Sequence, residues 1–315
     1  MGEKKMISVI VPVYNEEKNV PLFYEKVLPV LNSLTYDWEL LFVNDGSCDK
    51  SIVELEKLEK NDSRVRVIDF SRNFGKEMAM TAGINFCHGV ACIILDADLQ
   101  HPIEKIPEFI ERWEGGAEVV IGIRKKNKGE GLVKKVGSYL FYKLINQISE
   151  MKIVTRATDY RLLDRVVIDE FNLFTEKNRM TRALVDWLGF RREYIYFEAN
   201  ERIYGVPAYN FWKLLRLAFN SIISFSLLPL RLAGYLGAFI TLFSGVAGFY
   251  ILLGKYFFHT HFASTFSDSE NLAILIVFLV GIILISIGLL ALYIANIHVE
   301  VENRPLYIIR KTKKK

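Results

Sequence analysis

The sequence predicts an α/β protein: a mostly parallel sheet with helices on both faces, followed by membrane-crossing helices in the last third. Three observations carry that expectation. Through the first 125 residues, short β-branched runs alternate with stretches of helical spacing, the succession that builds a parallel sheet. The strand runs are apolar almost throughout, as strands covered on both sides are. Two uncharged stretches of more than 20 residues then lie near the C-terminus.

Taken in order, Ile7 to Val11 is a β-branched run that Pro12 stops. Glu17 to Leu31 has helical spacing, with Val20, Phe23, Val27, Val30 and Leu31 on one side. Trp38 to Val43 reads as a second strand, Ile52 to Leu58 as a short helix and Val65 to Phe70 as a third strand. Lys76 to Phe86 reads as a helix and Ile93 to Leu95 as a fourth strand. A helix near Ile103 to Trp113 and a strand at Glu118 to Ile121 follow. Gly131 to Ile148 has an amphipathic helical pattern, and Asn178 to Leu188 is also expected to be helical.

The segment Ile93-Ile94-Leu95-Asp96-Ala97-Asp98-Leu99-Gln100 organises the rest. A buried strand ends abruptly in two carboxylates and an amide, and ligands of open α/β sheets bind beyond the carboxyl ends of strands. On an extended backbone Asp96 and Asp98 would aim to the same side. Two hard oxygen donors with the Gln100 amide suit Mg²⁺ or Mn²⁺, which could hold a substrate diphosphate. A solvated acidic turn is the competing reading. The other strands also end in polar groups: Tyr14-Asn15-Glu16, Asn44-Asp45-Gly46-Ser47 and Ser71-Arg72-Asn73-Phe74-Gly75-Lys76. Singly, each is an ordinary turn or helix cap. Together at one edge they could cradle a nucleotide, although neither a GxGxxG nor a Walker loop is present.

Composition narrows the classes. The net charge of +4 is too small to imply a nucleic-acid partner. Cys48, Cys87 and Cys92 form no CxxC pair, which argues for reduced thiols and against zinc or a disulfide scaffold. The N-terminus runs into a strand without a signal-peptide pattern.

Val11-Pro12-Val13-Tyr14-Asn15-Glu16, Asn44-Asp45-Gly46-Ser47, Asn73-Phe74-Gly75-Lys76-Glu77 and Asp96-Ala97-Asp98-Leu99-Gln100 resemble the inverting family-2 glycosyltransferases of GT-A, Rossmann-like fold. The resemblance is to the polyprenyl-phosphate glycosyltransferases among them: the dolichol-phosphate mannose synthases and, closer, the bactoprenol glucosyltransferases. It extends through Ser224-Phe225-Ser226, Pro229-Leu230-Arg231 and Arg304-Pro305-Leu306-Tyr307-Ile308. It implies transfer of a sugar, UDP-glucose-like, to undecaprenyl or dolichyl phosphate with inversion.

The same resemblance implies site residues. Pro12, Tyr14, Asn15, Glu16 and Asp45 would hold the base and ribose, Lys76 would lie near the donor, and Asp96, Asp98 and Gln100 would bind the metal. Arg124 of Gly122-Ile123-Arg124 is expected near the acceptor phosphate, with Lys135 and Ser138. Those two sit in Lys134-Lys135-Val136-Gly137-Ser138, where many relatives have Lys-Arg-x-x-Ser, and a lysine lacks arginine's two-pronged geometry. Asp159 in Thr158-Asp159-Tyr160-Arg161-Leu162 would be catalytic, or orient a substrate, or pair with Arg161. Arg202 with Gly205 matches an Arg-x-x-Gly loop over the donor diphosphate, but Pro207-Ala208-Tyr209 replaces the usual Ser-Lys-Tyr. His101 stands where bactoprenol enzymes often have Asp. A lipid phosphate is largely ionised near neutral pH, with a second pKa of about 6, so it needs cations more than a strong base.

The membrane expectation rests on residues Leu232 to Gly254, 23 without charge, and Asn271 to Ile297, 27 without charge. Roughly 20 apolar residues cross a bilayer core. Lys213, Arg216 and Arg231 precede the pair, and Arg304, Arg310, Lys311 and Lys313 to Lys315 follow it. The positive-inside rule therefore places the catalytic domain (1–210) and both termini in the cytoplasm of a multi-pass cell-membrane protein. Phe211 to Leu228, in a linker spanning 211–230, reads as an interfacial helix; a packed domain helix competes. A homo-oligomer is compatible with all of this. A processive polysaccharide synthase would carry Gln-x-x-Arg-Trp, and neither Gln100 nor Gln147 begins it. Transfer to another lipid or glycan, and a non-catalytic membrane interaction protein, are the remaining alternatives.

Overall fold

The computed structural model describes residues 5–125, 157–177, 179–198, 239 and 268–310. Two compact units divide them. The first holds everything to residue 198 together with 303–310; the second holds Phe239 and the helix 268–301.

In the first unit, β1 (Met6–Val13), α1 (Asn19–Asn32), β2 (Asp37–Asn44), α2 (Ser51–Asn61), β3 (Val65–Asp69), α3 (Lys76–Phe86) and β4 (Ala91–Ile94) alternate as expected. A short 3₁₀ turn leads into α4 (Ile106–Glu114), and β5 (Val119–Arg124) follows. After the stretch 126–156 come β6 (Ala157–Asp164), α5 (Arg165–Asn172), α6 (Thr181–Trp187) and β7 (Arg192–Phe197).

The seven strands form one sheet in the order β3-β2-β1-β4-β6-β5-β7. All neighbours are parallel except β6, which runs antiparallel to both β4 and β5. Successive side chains of a strand serve opposite faces. Ile7, Val9 and Val11 pack with Phe23 and Val27 of α1 and Phe109 of α4, while Ile10 packs with Met80 and Ile84 of α3. Each central strand is thus covered on both sides, which explains its near-continuous apolar run.

Pro12 lies inside β1, opposite Val43, instead of ending the strand. Pairing with β4 stops at Ile10, so the missing N–H on that side leaves no ladder bond unmade. The expected helix at 178–188 begins at Thr181. The amphipathic stretch 131–148, the interfacial segment 211–228 and, apart from Phe239, the first uncharged stretch 232–254 lie outside the described residues.

In the second unit, α7 (Asp268–Val301) is one unbroken helix of 34 residues covering the second uncharged stretch. Judged on the described residues, no helix is long and apolar enough to cross a membrane.

Candidate active site

The loops after β1 and β2 are knitted to each other. Asn15 takes a positive φ of 55°, and its side-chain oxygen accepts from Cys48 N at 2.9 Å. Asn15 N donates to Ser47 Oγ at 3.0 Å, and Glu16 N donates to Ser51 Oγ at 2.8 Å. Asn44 donates to Asp69 at 2.7 Å and accepts from Ser47 Oγ at 2.6 Å. Tyr14 stays 45 % exposed at the rim.

Asp45, at the end of β2, reaches across to the loop after β3. Its carboxylate accepts from Phe74 N at 2.7 Å and from Gly75 N at 2.9 Å. Burial pushes its pKa up, against those two amides. The neighbouring Gly46 has φ 64°, and a Cβ there would lie 2.3 Å from the Arg72 carbonyl carbon. Only glycine lets the two loops approach this closely. Pro12, Tyr14, Asn15, Glu16 and Asp45 therefore share one edge, with Asp45 fixing a loop.

Beside them lies a charged cluster of Lys76, Asp96, Asp159 and Arg182, drawn from four parts of the fold. Lys76, the first residue of α3, places Nζ 2.5 Å from Asp96 Oδ1 and 2.9 Å from Asp159 Oδ2. Arg182 Nε lies 3.8 Å from the other Asp159 oxygen. Burial alone would raise the Asp159 pKa; Lys76 and Arg182 overcome it and hold the carboxyl at about 2. Burial pulls the Lys76 ammonium down, and Asp96 and Asp159 more than reverse that, raising it.

The carboxylates of the β4 loop are arranged differently from the extended pair the sequence suggests. The strand ends at Ile94, Ala97 and Asp98 form a turn, and Leu99 has φ 60°. Asp98 is buried and accepts from Gln100 N at 3.1 Å. His101, also buried, accepts from Asp96 N through Nδ1 at 3.2 Å and stacks on Tyr160 at 5.1 Å. Burial lowers its pKa and keeps the ring neutral.

Asp159 does not pair with Arg161. That arginine is buried and donates to Asp186 Oδ1 at 2.9 Å, and to the carbonyls of Arg182 and Thr158 at 3.3 Å. It anchors the helix that carries Arg182. Glu77 ties α3 to that same helix by accepting from Thr181 N at 2.8 Å, with its pKa raised by burial. Arg182, Arg161 and Glu77 are site residues to which the sequence reading gave no site role; Glu77 and Arg161 lie inside quoted motifs, and Arg182 lies in none. Arg124 ends β5 opposite Phe197 of β7, on the strand next to β6, which carries Asp159. Lys135, Ser138 and Arg202 lie outside the described residues.

Among the described residues no three carboxylate, imidazole or thiolate groups gather as a metal site. The oxygen chemistry of Asp96, Asp98 and Gln100 nevertheless fits a hard cation completed by ligand oxygens. Such an ion would share Asp96 with the Lys76 ammonium or displace it.

The family model for glycosyl transferase family 2 matches residues 8–171, and the chain belongs to that family, with its GT-A α/β fold. A relative described as uncharacterized glycosyltransferase YkcC of Bacillus subtilis (strain 168) is 40% identical over 99% of this chain and 95% of its own length. The bactoprenol glucosyl transferase of Shigella phage SfV is 38% identical over 98% of this chain and 99% of its own. Among solved structures, glucosyl-3-phosphoglycerate synthase from Mycobacterium tuberculosis, in complex with Mn²⁺ and UDP-glucose, is 17% identical. That match covers 70% of this chain and 77% of that one, with a TM-score of 0.47.

Proposed function

We propose that this glycosyltransferase moves a sugar from a nucleotide-sugar donor to a polyprenyl phosphate at a membrane, with inversion at the anomeric carbon. The observation that carries the reading is the joining of Lys76, Asp96 and Asp159 beside the Asp45 clamp, at the ligand-binding edge of a family-2 domain. The acceptor class draws its support from relatives named bactoprenol glucosyl transferase. Their similarity runs over nearly the whole chain, the uncharged C-terminal stretches included.

In this reading the β1 and β2 edges, with Pro12, Tyr14, Asn15, Glu16 and Asp45, bind the nucleoside, and Lys76 supplies positive charge to the diphosphate. Asp96, Asp98 and Gln100 hold Mg²⁺ or Mn²⁺, which would neutralise charge on the departing nucleoside diphosphate. A phosphate oxygen of the acceptor forms the new bond to the anomeric carbon as the bond to the diphosphate breaks. Asp159, ionised down to about pH 2, is a feeble proton acceptor. The acceptor carries little proton to remove, so Asp159 acts by orienting Lys76 and Arg182 and, with them, the substrates. Arg124, Lys135 and Ser138 position the acceptor phosphate, and Arg202 closes over the donor.

The membrane part of the proposal rests on charge. Asn271 to Ile297 carries no charged residue in the sequence, and Lys213, Arg216 and Arg231 before the two uncharged stretches, with Arg304, Arg310, Lys311 and Lys313 to Lys315 after them, favour one and the same side for both flanks by the positive-inside rule. Cysteine labelling of intact cells should reach a residue placed at Ser264 and leave one at Lys313 unlabelled; external labelling of the tail would sink the orientation.

The deciding experiment incubates the purified full chain with a panel of sugar nucleotides and undecaprenyl or dolichyl phosphate. Lipid-linked sugar is the expected product. Transfer to a free glycan or another lipid, with none to polyprenyl phosphate, would overturn the acceptor class.

A further inference from the structure

The motif Arg304-Pro305-Leu306-Tyr307-Ile308 has no part in the mechanism above, yet the structure packs it against the donor side of the sheet. Ile309 forms an antiparallel bridge with Phe70, just beyond β3. Ser71 N donates to Ile308 O at 2.9 Å, and Arg310 N donates to Asp69 O at 2.7 Å. The Tyr307 ring lies parallel to that of Phe70, with centroids 5.0 Å apart and planes 11° apart. Its hydroxyl accepts from Asn85 Nδ2 of α3 at 2.9 Å. Phe70, fully buried, in turn meets Phe74 edge-on at 5.7 Å.

The loop held in this way is the one that matters for the donor edge. Phe74 and Gly75 supply the amides that clamp Asp45, and the next residue is Lys76. Gly75 has φ 101°, a conformation with little intrinsic preference for this one loop shape. Something outside the loop must therefore define it, and residues 307–310 hold its first end at Asp69 to Ser71, from which Phe70 reaches on to Phe74.

We propose that residues 305–310 form a strap that positions the donor site, with Tyr307 fixing Phe70 and Phe74 and, through them, the Asp45 clamp. This rests on reading the Asp45 edge as the nucleotide-binding edge. Tyr307 is a positioning residue and touches no substrate. A ligand that binds only the ordered loop loses apparent affinity in proportion to the fraction of loops that are disordered. Loosening the strap should therefore weaken donor binding and leave bond making unchanged once the donor is bound.

The test uses the full chain in detergent. Wild type, Tyr307→Ala and Tyr307→Phe are titrated calorimetrically with UDP and with GDP in Mn²⁺ buffer, taking the nucleotide that binds wild type. Transfer kinetics are then measured with donor and acceptor varied separately. Tyr307→Ala is expected to weaken the nucleotide about tenfold, the upper end of what a stacked aromatic pair contributes. Donor KM should rise by the same factor, with kcat and acceptor KM unchanged. Tyr307→Phe keeps the ring and should behave as wild type. Unaltered nucleotide affinity in folded Tyr307→Ala, or an equal rise in acceptor KM, would overturn the strap. Should Tyr307→Ala fail to fold, Tyr307→Leu carries the same expectation and the same refutation. A wild-type chain that binds nucleotide but makes no polyprenyl product refutes the acceptor class alone, because the titration still reads the strap. A chain that binds neither nucleotide refutes both.

Discussion

Asp45, buried, and Asp159, part-buried, are carboxylates at one edge of one sheet, and they are held by opposite means. Asp45 accepts from two backbone amides, and burial still pushes its pKa up. Asp159 faces the full charges of Lys76 and Arg182, which take its pKa down to about 2 in spite of burial. Backbone amides carry partial charge and fixed direction, so they tie a loop in place. Side-chain cations supply net charge, so they keep an anion ionised among groups that must handle phosphates. The first edge is built for shape and the second for charge.

The largest effect that would break this contrast belongs to the charged edge. Asp98→Ala, or removal of divalent metal with EDTA, is expected to lower lipid-linked product on the order of 100-fold or more. The melting temperature should stay near that of wild type, because the hydrogen bond Asp98 accepts from Gln100 N lies within its own turn. A metal-free chain with full activity would remove Asp96, Asp98 and Gln100 from the chemistry.

The next effect belongs to the shaped edge, and it should show in stability. Asp45→Ala leaves two amides in a part-buried loop without their acceptor, a loss of about 1–3 kcal/mol. Chemical unfolding of the variant in detergent reads that loss directly. Gly46→Ala should act on the same loop pair, since its Cβ would overlap the Arg72 backbone and its φ is 64°. Wild-type stability in both variants would mean that the two loops are not fastened to each other at Asp45.

The two edges also differ in how far the sequence revealed them. The strands β1 to β4 and helices α1 and α3 are continuous apolar runs or clear helical repeats, so periodicity found them within a few residues. Asp45, Lys76 and Asp96 stand at the ends of those runs and were legible for that reason. β6 was harder: Ala157–Asp164 interrupts its apolar pattern with Arg161, whose burial depends on Asp186 from a later helix. β7 alternates tyrosines that remain partly exposed with buried Ile195 and Phe197, a weak signal in six residues. The turn at Ala97 and Asp98 contains neither glycine nor proline, and Leu99 adopts positive φ without any residue that announces it. Which carboxylate meets which arginine is set by tertiary packing, so the pairs Asp159 with Arg182 and Arg161 with Asp186 had no local mark.

The smallest effect, and the sharpest test of the contrast, is the response to acid. Asp159 has a folded pKa of about 2 against an ordinary 3.8, so its stabilisation is fully present above pH 3.8 and is lost as pH falls through 2. The full span amounts to about 2 kcal/mol, because each tenfold difference in proton affinity between folded and unfolded chain contributes about 1.4 kcal/mol. Asp45 has the opposite sign. Its folded pKa is raised, so the folded state takes up a proton before the unfolded chain does, and this group adds stability as pH falls towards 3.8. Melting temperatures of wild type, Asp159→Asn and Asp45→Asn, measured from pH 6 to the acid limit of the detergent-solubilised chain, separate the two. Asp159→Asn should close on wild type as pH falls below 3.8, because the wild type is losing what the variant never had. Asp45→Asn should instead fall further behind as the acid range is approached from above, because the wild type gains there and the variant does not. Parallel curves for both variants would mean that amides and cations hold these carboxylates alike, and the division into a shaped and a charged edge would fail.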